Sequence, residues 1–563
     1  MNDGLKDTQR NAILEVLNKH PKIERAVLFG SRAMGSFTRT SDIDIALYGD
    51  LSLRDQARIA DELAQLSIPY TVDLVRMKTV NSPELIEHIK KHGSPWLANA
   101  ASADTRSAKK GEGRVMAGDP VRMCPTVEAL PDGWQVKRLG SFCVKIGTGA
   151  TPRGGSEVYL PNRIKHALIR SQNVLDRKFD SVGIAYISAD HANELRNADV
   201  ISGDILLNIT GDGVTFGRSC IVPEGILPAC VNQHVSIIRP DRRECDPDYL
   251  LSVLTHPMSK GYIESFNAGG SRRAITKGHI ESFQIPLPPL KLQKSIGVVL
   301  RLLDDMIEVN REINETLEEI ARALFKSWFL DFDPVRAKLE GRPPAGMDAG
   351  TAALFPDHFQ DSELGQIPRG WEAKPLPKVI DVNPRRTLRS GTIAPYLDMK
   401  NLPTQGHCAL DVIDREFSSG TKFQNGDTLL ARITPCLENG KTGYVDFLEE
   451  GQVGWGSTEY IVLSPKAPLP PQFGYFLARS DALRVHAIQN MIGTSGRQRV
   501  PAECLNSFLI VMPSPVVAQR FNEMTAPLME QIKANTLESR DLATLRDTLL
   551  PKLLSGELPI TVG

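Results

Sequence analysis

Two stretches of the chain carry its longest hydrophobic periodicity. Across 291–332 and again across 516–556, apolar residues return at alternating spacings of three and four, the a/d seam of a coiled coil. An offset of 225 residues, Ile307 to Ile532, lays one stretch on the other. Leu303 then falls on Leu528, Asn310 on Asn535, Leu317 on Leu542 and Leu324 on Leu549. An Asn buried at a seam costs stability but fixes register, and both stretches carry one at the same place. The shared phase predicts two helices of about 30 residues, about 45 Å long, paired antiparallel. Elsewhere the apolar runs are short. The first hundred residues alternate helix (6–18), strand (25–29), strand (43–47), helix (53–66) and strand (70–75), the pattern of a small α/β domain.

These patterns divide the chain into a small α/β domain (1–98), a linker of Ala, Ser, Gly and charge (99–124), a first mixed domain (125–290), a spacer helix (291–332), an extended Pro- and Gly-rich connection (333–364), a second mixed domain (365–515), a second spacer helix (516–556) and a tail (557–563). The second half repeats the first. Leu130-Pro131-Asp132-Gly133-Trp134 answers Ile367-Pro368-Arg369-Gly370-Trp371. Gly203-Asp204-Ile205-Leu206-Leu207 answers Gly426-Asp427-Thr428-Leu429-Leu430. The glycine-basic segment Gly269 to Ile275 answers Gly493 to Val500, and Ile285-Pro286-Leu287-Pro288-Pro289 answers Val511-Met512-Pro513-Ser514-Pro515. A whole domain plus a helix, given twice, predicts an α/β mixed fold with a pseudo-twofold repeat and two similar working ends.

With these landmarks in order, 125–563 resembles the specificity subunit of a type I restriction–modification enzyme. Val231-Asn232-Gln233-His234, Gln293, the run Leu324 to Pro334 and the ending Leu549 to Leu558 add to the likeness. The resemblance implies two target-recognition domains, each reading one half of a split double-stranded DNA sequence. It also implies that the helices set the gap and dock two modification (methyltransferase) subunits, with restriction/translocase subunits joining through the complex. S-adenosylmethionine then belongs to the partner, and the specificity region needs no cofactor of its own. The second copy departs from the pattern at Gly456-Ser457-Thr458-Glu459, where the first has Asn232-Gln233-His234.

Composition changes this picture little. The chain has 66 Lys and Arg against 67 Asp and Glu, so nucleic-acid binding rests on local charge rather than on the whole. Acids crowd the first helix (Asp304, Asp305, Glu308, Glu312, Glu315, Glu318, Glu319), while bases collect in the flanking domains, among them Arg153, Arg170, Arg177, Arg385, Arg386, Arg389 and Lys400. Arg272, Arg273, Lys277, Arg497 and Arg499, beside Gly and Ser, are the expected DNA contacts, where backbone can approach phosphate and Arg can read guanine. The 8 cysteines show no C-x-x-C pair and no His at zinc spacing, which predicts reduced thiols. No apolar run reaches the roughly 18 residues of a membrane span, and the opening residues lack a signal-peptide core, so a cytoplasmic (prokaryotic) protein is expected.

The first domain has chemistry of its own. Gly30-Ser31-Arg32-Ala33-Met34-Gly35 precedes Ser41-Asp42-Ile43-Asp44-Ile45, and Val72-Asp73-Leu74 follows. A Gly-Ser turn after a strand offers N–H groups and a hydroxyl to phosphate oxygens. Asp42 and Asp44 share one strand face, and Asp73 on a neighbouring strand completes a set suited to Mg²⁺. The segment resembles a minimal nucleotidyltransferase over 20–95, which implies Gly30, Ser31 and Arg32 at the nucleotide and Asp42, Asp44 and Asp73 at metal and catalysis, if the domain is active. Such transferases often work in toxin–antitoxin pairs. Residues 1–120 thus read as a domain appended by gene fusion or by start-site choice. No G-x-x-x-x-G-K-[S/T] loop and no Asn/Asp-Pro-Pro-aromatic tetrapeptide occurs, so translocation and methyl transfer fall to partner chains. The reading is a DNA-specificity subunit with an appended nucleotidyltransferase-like domain; the alternative is a Mg-dependent nucleotidyltransferase or antitoxin-like enzyme that uses the repeats to find DNA.

Overall fold

The computed structural model describes residues 133–558 except 163–165, 212–213, 267–272, 495–497 and 556, and in the N-terminal region 7–33, 42–49, 53–64, 72–79 and 93–98 with isolated positions besides. The linker expected at 99–124 lies outside the described residues. The chain forms two units, Met1–Leu300 with Asp547–Gly563, and Arg301–Arg546.

In the first unit, the N-terminal domain is a four-stranded sheet with helices Asp7–Asn18 and Leu53–Ala64. Strand Arg25–Phe29 runs antiparallel to Ile43–Tyr48 and to Ser94–Ala98, and Ile43–Tyr48 is parallel to Val72–Arg76. Side chains alternate across the sheet. Ala26, Leu28, Ile43, Ile45 and Leu47 pack with Ile13, Leu17, Ile59 and Leu63, whereas Val27, Phe29 and Ala46 pack with Ile89. A strand buried on both faces reads as one apolar run, hence Ala26-Val27-Leu28-Phe29. The sequence pattern misses Ser94–Ala98 because Pro95 interrupts it; the strand lies at the sheet edge, where a missing N–H is tolerated.

The first repeat domain holds two four-stranded sheets. One is antiparallel, in the order Ser219–Ile221, Ile205–Asn208, Val235–Pro240, Cys143–Thr148. The other runs Ala185–Ile187, His166–Ile169, Ala229–Val231, Asp199–Val200, with its central pair parallel. In the second unit the second repeat domain has the same order strand for strand: Thr442–Tyr444, Thr428–Ala431, Tyr460–Pro465, Ile380–Val382, and Ile413–Glu416, Ile393–Leu397, Gly454–Gly456, Thr421–Phe423, again with a parallel central pair. The opening strand of each domain pairs with its closing strand, Gln135–Arg138 with Gln284–Leu287 and Glu372–Pro375 with Leu509–Met512. The matched openings and proline-rich exits are therefore two sides of one clasp.

The Gly-Asp landmark is a buried turn. Gly203 and Gly426 adopt φ of 85° and 88°, which favours glycine. Asp204 and Asp427 are fully buried, and each accepts the N–H three residues back, from Ile201 and Gln424, at 2.8 Å. Arg239 donates Nε and Nη2 to Asp204 at 2.7 and 2.8 Å, and Arg386 donates Nη2 to Asp427 at 2.8 Å. The carboxylate keeps its place in both copies; its arginine comes from a different segment in each.

The long helices are Leu290–Phe329 and Pro515–Leu554, 40 residues each, or about 60 Å at 1.5 Å per residue. Within the second unit they run antiparallel: Arg546 Nη1 meets Asp304 Oδ1 at 2.6 Å, Asn310 Nδ2 meets Glu538 Oε2 at 3.1 Å, and Asn535 Nδ2 meets Asn314 Oδ1 at 2.9 Å. Ile532 and Asn535 are buried and the other expected seam residues half-buried. The two matched asparagines do not face each other. In an antiparallel pair each meets the opposite helix about a turn beyond its equivalent, so Asn535 finds Asn314 and Asn310 finds Glu538. Glu318, grouped by sequence with the surface acids, is buried and accepts the Tyr475 hydroxyl at 2.5 Å. The last turns of the first helix join the second domain's core, where Phe325 stacks edge-on with Phe473 at 5.0 Å and Phe329 with Phe521 at 4.9 Å.

The connection expected to be extended over 333–364 is instead partly helical. Asp333–Leu339 begins with Pro334 at its first turn, and Ala349–Ala353 is capped by Asp348, which accepts the Thr351 N–H at 2.9 Å. Both helices are too short to display a period.

The buried turn sets a stability prediction. Asp204→Ala strands the Arg239 guanidinium and frees an N–H, so the first repeat domain should lose about 3 kcal/mol, or several degrees of its thermal transition. Calorimetry of the full chain measures this, and an unmoved transition contradicts it.

Candidate functional site

Two of the three N-terminal carboxylates share a register position. Asp44 on Ile43–Tyr48 pairs in register with Asp73 on the parallel strand Val72–Arg76, which sets the two side by side at a strand spacing of about 4.8 Å. Asp42 precedes the same strand by one residue and is exposed, as is Asp73; Asp44 is half-buried. Across the sheet Asp44 pairs with Phe29, so Gly30 enters the site directly. Gly30 has φ of 73°, and a Cβ there would lie 2.3 Å from Asp44 Oδ2. Only glycine lets this turn's backbone reach the carboxylate. The Ser31 side chain lies outside the described residues.

Arg32 corrects the sequence reading. It is 2% exposed, donates Nε to the Asp42 carbonyl oxygen at 3.1 Å and stacks over Tyr70 at 4.2 Å. It positions the segment that carries Asp42 rather than offering a free cation to phosphate. Asp44 and Asp73 stand at one register position beside the glycine turn, and with Asp42 they are the residues that could hold a divalent ion such as Mg²⁺, which would screen the phosphate charge of a nucleoside triphosphate.

The glycine-basic segments are less free than their sequence suggests. Arg272 and Arg497 lie outside the described residues. Arg273 is bonded to Glu264 at 2.8 Å, and Lys277 stands 3.5 Å from Glu281 on the same helical turn. Arg499 donates Nε to Glu459 at 2.8 Å and closes backbone bridges to Ile433 and Ile492. Arg170 and Arg177 are likewise turned onto carbonyl oxygens, of Gly183 and Ser252. Exposed bases in the two repeat domains include Arg153 in one, and Arg385, Arg389 and Lys400 in the other.

The first long helix carries a second apolar line. Val299, Leu302, Met306, Val309, Ile313 and Ile320 are exposed, Leu302 and Val309 by about half (53% and 52%). Their spacing is three and four as far as Ile313, and seven from there to Ile320. The equivalent positions of the second helix are Met524, Pro527, Gln531, Ala534, Glu538 and Leu545, so the line is largely confined to one helix. In the second repeat domain, fully buried His407 faces Cys408 and Asp446. Burial alone would lower its imidazole, but the Asp446 carboxylate and Cys408 hold it up to about 9. Adjacent His and Cys with an Asp 38 positions on, just past strand Thr442–Tyr444, match no zinc spacing, which is why the sequence pattern does not show them. The seven described cysteines are all free, and no described helix is long and apolar enough to cross a membrane.

A family model described as "Type I restriction modification DNA specificity domain" matches residues 131–319, and one described as "Polymerase beta, Nucleotidyltransferase" matches 11–98. Residues 131–319 thus carry a type I specificity domain, and residues 11–98 a nucleotidyltransferase domain. Among curated relatives of the specificity protein, the type I restriction enzyme HindI specificity subunit of Haemophilus influenzae is 24% identical over 438 residues, 69% of this chain and 94% of that one. The MjaIX specificity subunit of Methanocaldococcus jannaschii is 24% identical over 443 residues, 77% of this chain and 95% of that one. The crystal structure of a type I S subunit from M. genitalium aligns with a TM-score of 0.44 at 13% identity, over 76% of this chain and 97% of that one.

The carboxylate site predicts a selective loss. Asp42→Asn with Asp44→Asn should weaken Mg²⁺-dependent nucleotide binding at least ~100-fold, because the ion loses charged ligands. The fold should persist, since a metal-free carboxylate cluster repels itself. Calorimetric titration with Mg²⁺ and nucleoside triphosphate reads the effect; unaltered binding contradicts the assignment.

Proposed function

We propose that this chain is the DNA sequence-specificity subunit of a type I restriction–modification system, its two repeat domains each reading one half of a bipartite site. The observation that carries this reading is the duplication at the level of strand order: two domains with the same two sheets, the same clasp and the same buried Gly-Asp turn, each leading into a 40-residue helix. A split target needs two readers, and within the second unit polar pairs fix the register of the two helices that follow them. The DNA-facing cations in this reading are Arg272, Arg273, Lys277, Arg497 and Arg499, of which Lys277 and Arg499 are exposed, joined by the exposed Arg153, Arg385, Arg389 and Lys400.

Methyl transfer then comes from two modification subunits, and cleavage from restriction subunits that join through them. The exposed line from Val299 to Ile320 supports docking of a helical partner, because its spacing is that of a coiled-coil seam. The nucleotidyltransferase domain is an added Mg-dependent activity on the same chain. The register pairing of Asp44 with Asp73 beside Gly30 favours a working metal site over a bare scaffold.

Leu302→Glu with Met306→Glu places two charges in the exposed line without touching the seam. Affinity for the cognate modification subunit should fall at least ~100-fold, while thermal unfolding stays within a few degrees. Co-purification and native mass spectrometry measure capture and copy number. Full capture of two modification subunits by the variant would remove this line from the interface.

A further inference from the structure

We propose that His407, Cys408 and Asp446 form a site for one Zn²⁺-class divalent ion in the second repeat domain. The donor atoms already stand at coordinating separations. His407 Nε2 lies 3.3 Å from Cys408 Sγ and 3.5 Å from Asp446 Oδ2, and all three donors lie within 4.8 Å of one another. Around a tetrahedral ion bonded at roughly 2.0 Å to N and O and roughly 2.3 Å to S, neighbouring donors are roughly 3.3–3.6 Å apart. Two of the three edges have that length. The third closes by rotating Cys408 or Asp446, both half-buried. Imidazole, thiolate and carboxylate on one centre suit Zn²⁺ rather than Mg²⁺ or Ca²⁺, which prefer oxygen ligands. A fourth position is left to water on the accessible side of Cys408 and Asp446.

The backbone around these donors is fixed. The His407 carbonyl oxygen accepts the Tyr444 N–H at 3.0 Å, and Thr442 donates its N–H to Pro403 at 3.0 Å. Arg479 donates to the carbonyl oxygens of Thr404 and Gly406 at 2.6 Å and of Thr442 at 3.1 Å. The loop bearing His407 and Cys408 is thus clamped to the strand that leads into Asp446. The His407 ring is fully buried beside Tyr444 and Tyr475, at 6.1 and 5.9 Å between centroids. Its Nδ1 is buried without a hydrogen-bond partner, so Nε2 is the ring's working atom and it points at the other two donors. Lys533, 3.9 Å from Asp446 Oδ2, competes with the ion for the carboxylate. Ligation releases the Cys408 thiol proton and the His407 Nε2 proton to solvent and ties 403–408 to 442–446. The role is structural, locking the second reading domain's sheet to its loop.

The test uses the full chain, stripped with chelator and titrated with Co²⁺ as a spectroscopic probe. One equivalent should give a thiolate-to-cobalt band in the near ultraviolet and tetrahedral bands in the visible, displaced by Zn²⁺. Cys408→Ser should lose the near-ultraviolet band, and Asp446→Asn should bind at least ~10-fold more weakly. Both substitutions keep side-chain size, and circular dichroism checks their folding. Absence of the bands in the parent chain overturns the proposal. So does a near-ultraviolet band that survives Cys408→Ser, which would place the metal on another cysteine. Should Cys408→Ser misfold, unchanged affinity in Asp446→Asn overturns it alone.

Discussion

An apolar seam must be covered along its whole length, and in the second unit that requirement decides most of the rest. Each buried Leu or Ile contributes about 1.5–3 kcal/mol by leaving water, but such contacts tolerate sliding. The polar members do not. Asn535 is buried, and its amide is satisfied by Asn314; Arg546 meets Asp304 with both side chains mostly covered. A slip of one turn would leave a buried amide and a half-buried guanidinium unpartnered, at a cost of several kcal/mol. The seam thereby fixes direction and register together. It then runs without a break into the second domain's core through Ala321, Phe325, Trp328 and Phe329.

Much of this architecture was legible in the sequence because it depends on periodicity and on residues with special backbone needs. The helices were visible to within three residues at either end. The Gly-Asp and proline-rich landmarks marked real structural equivalences, a left-handed turn over a buried carboxylate and the closing strand of a clasp. What stayed hidden depends on long-range pairing. Nothing local reveals that Arg273 and Arg499 pair with Glu264 and Glu459. Glu318 looks like any surface acid until Tyr475, 157 positions away, supplies its partner. His407, Cys408 and Asp446 are joined only by the pairing of a loop with a strand. Arg32 reads as a phosphate ligand by its motif, yet packing turns it inward.

The same division explains why the family is readable and the target is not. Residues that repeat between the two halves hold the fold: Asp204 and Asp427, the clasp strands, the helix seam. Elsewhere the two halves differ, as at Asn232-Gln233-His234 against Gly456-Ser457-Thr458-Glu459. The nucleotidyltransferase domain obeys the other rule. Its candidate residues depend on strand register and one glycine: Asp44 stands opposite Asp73 and beside Gly30.

The central claim is that each repeat domain reads its own half of one split DNA site. It is tested by exchanging residues 365–515 for the corresponding domain of a relative with a different target, expressing the hybrid with its modification subunit, and mapping methylated positions genome-wide. The account predicts a methylated motif in which one half changes to the donor's, while the other half and the gap stay as in the parent. A motif altered in both halves, or unaltered in either while the complex still assembles, would contradict it.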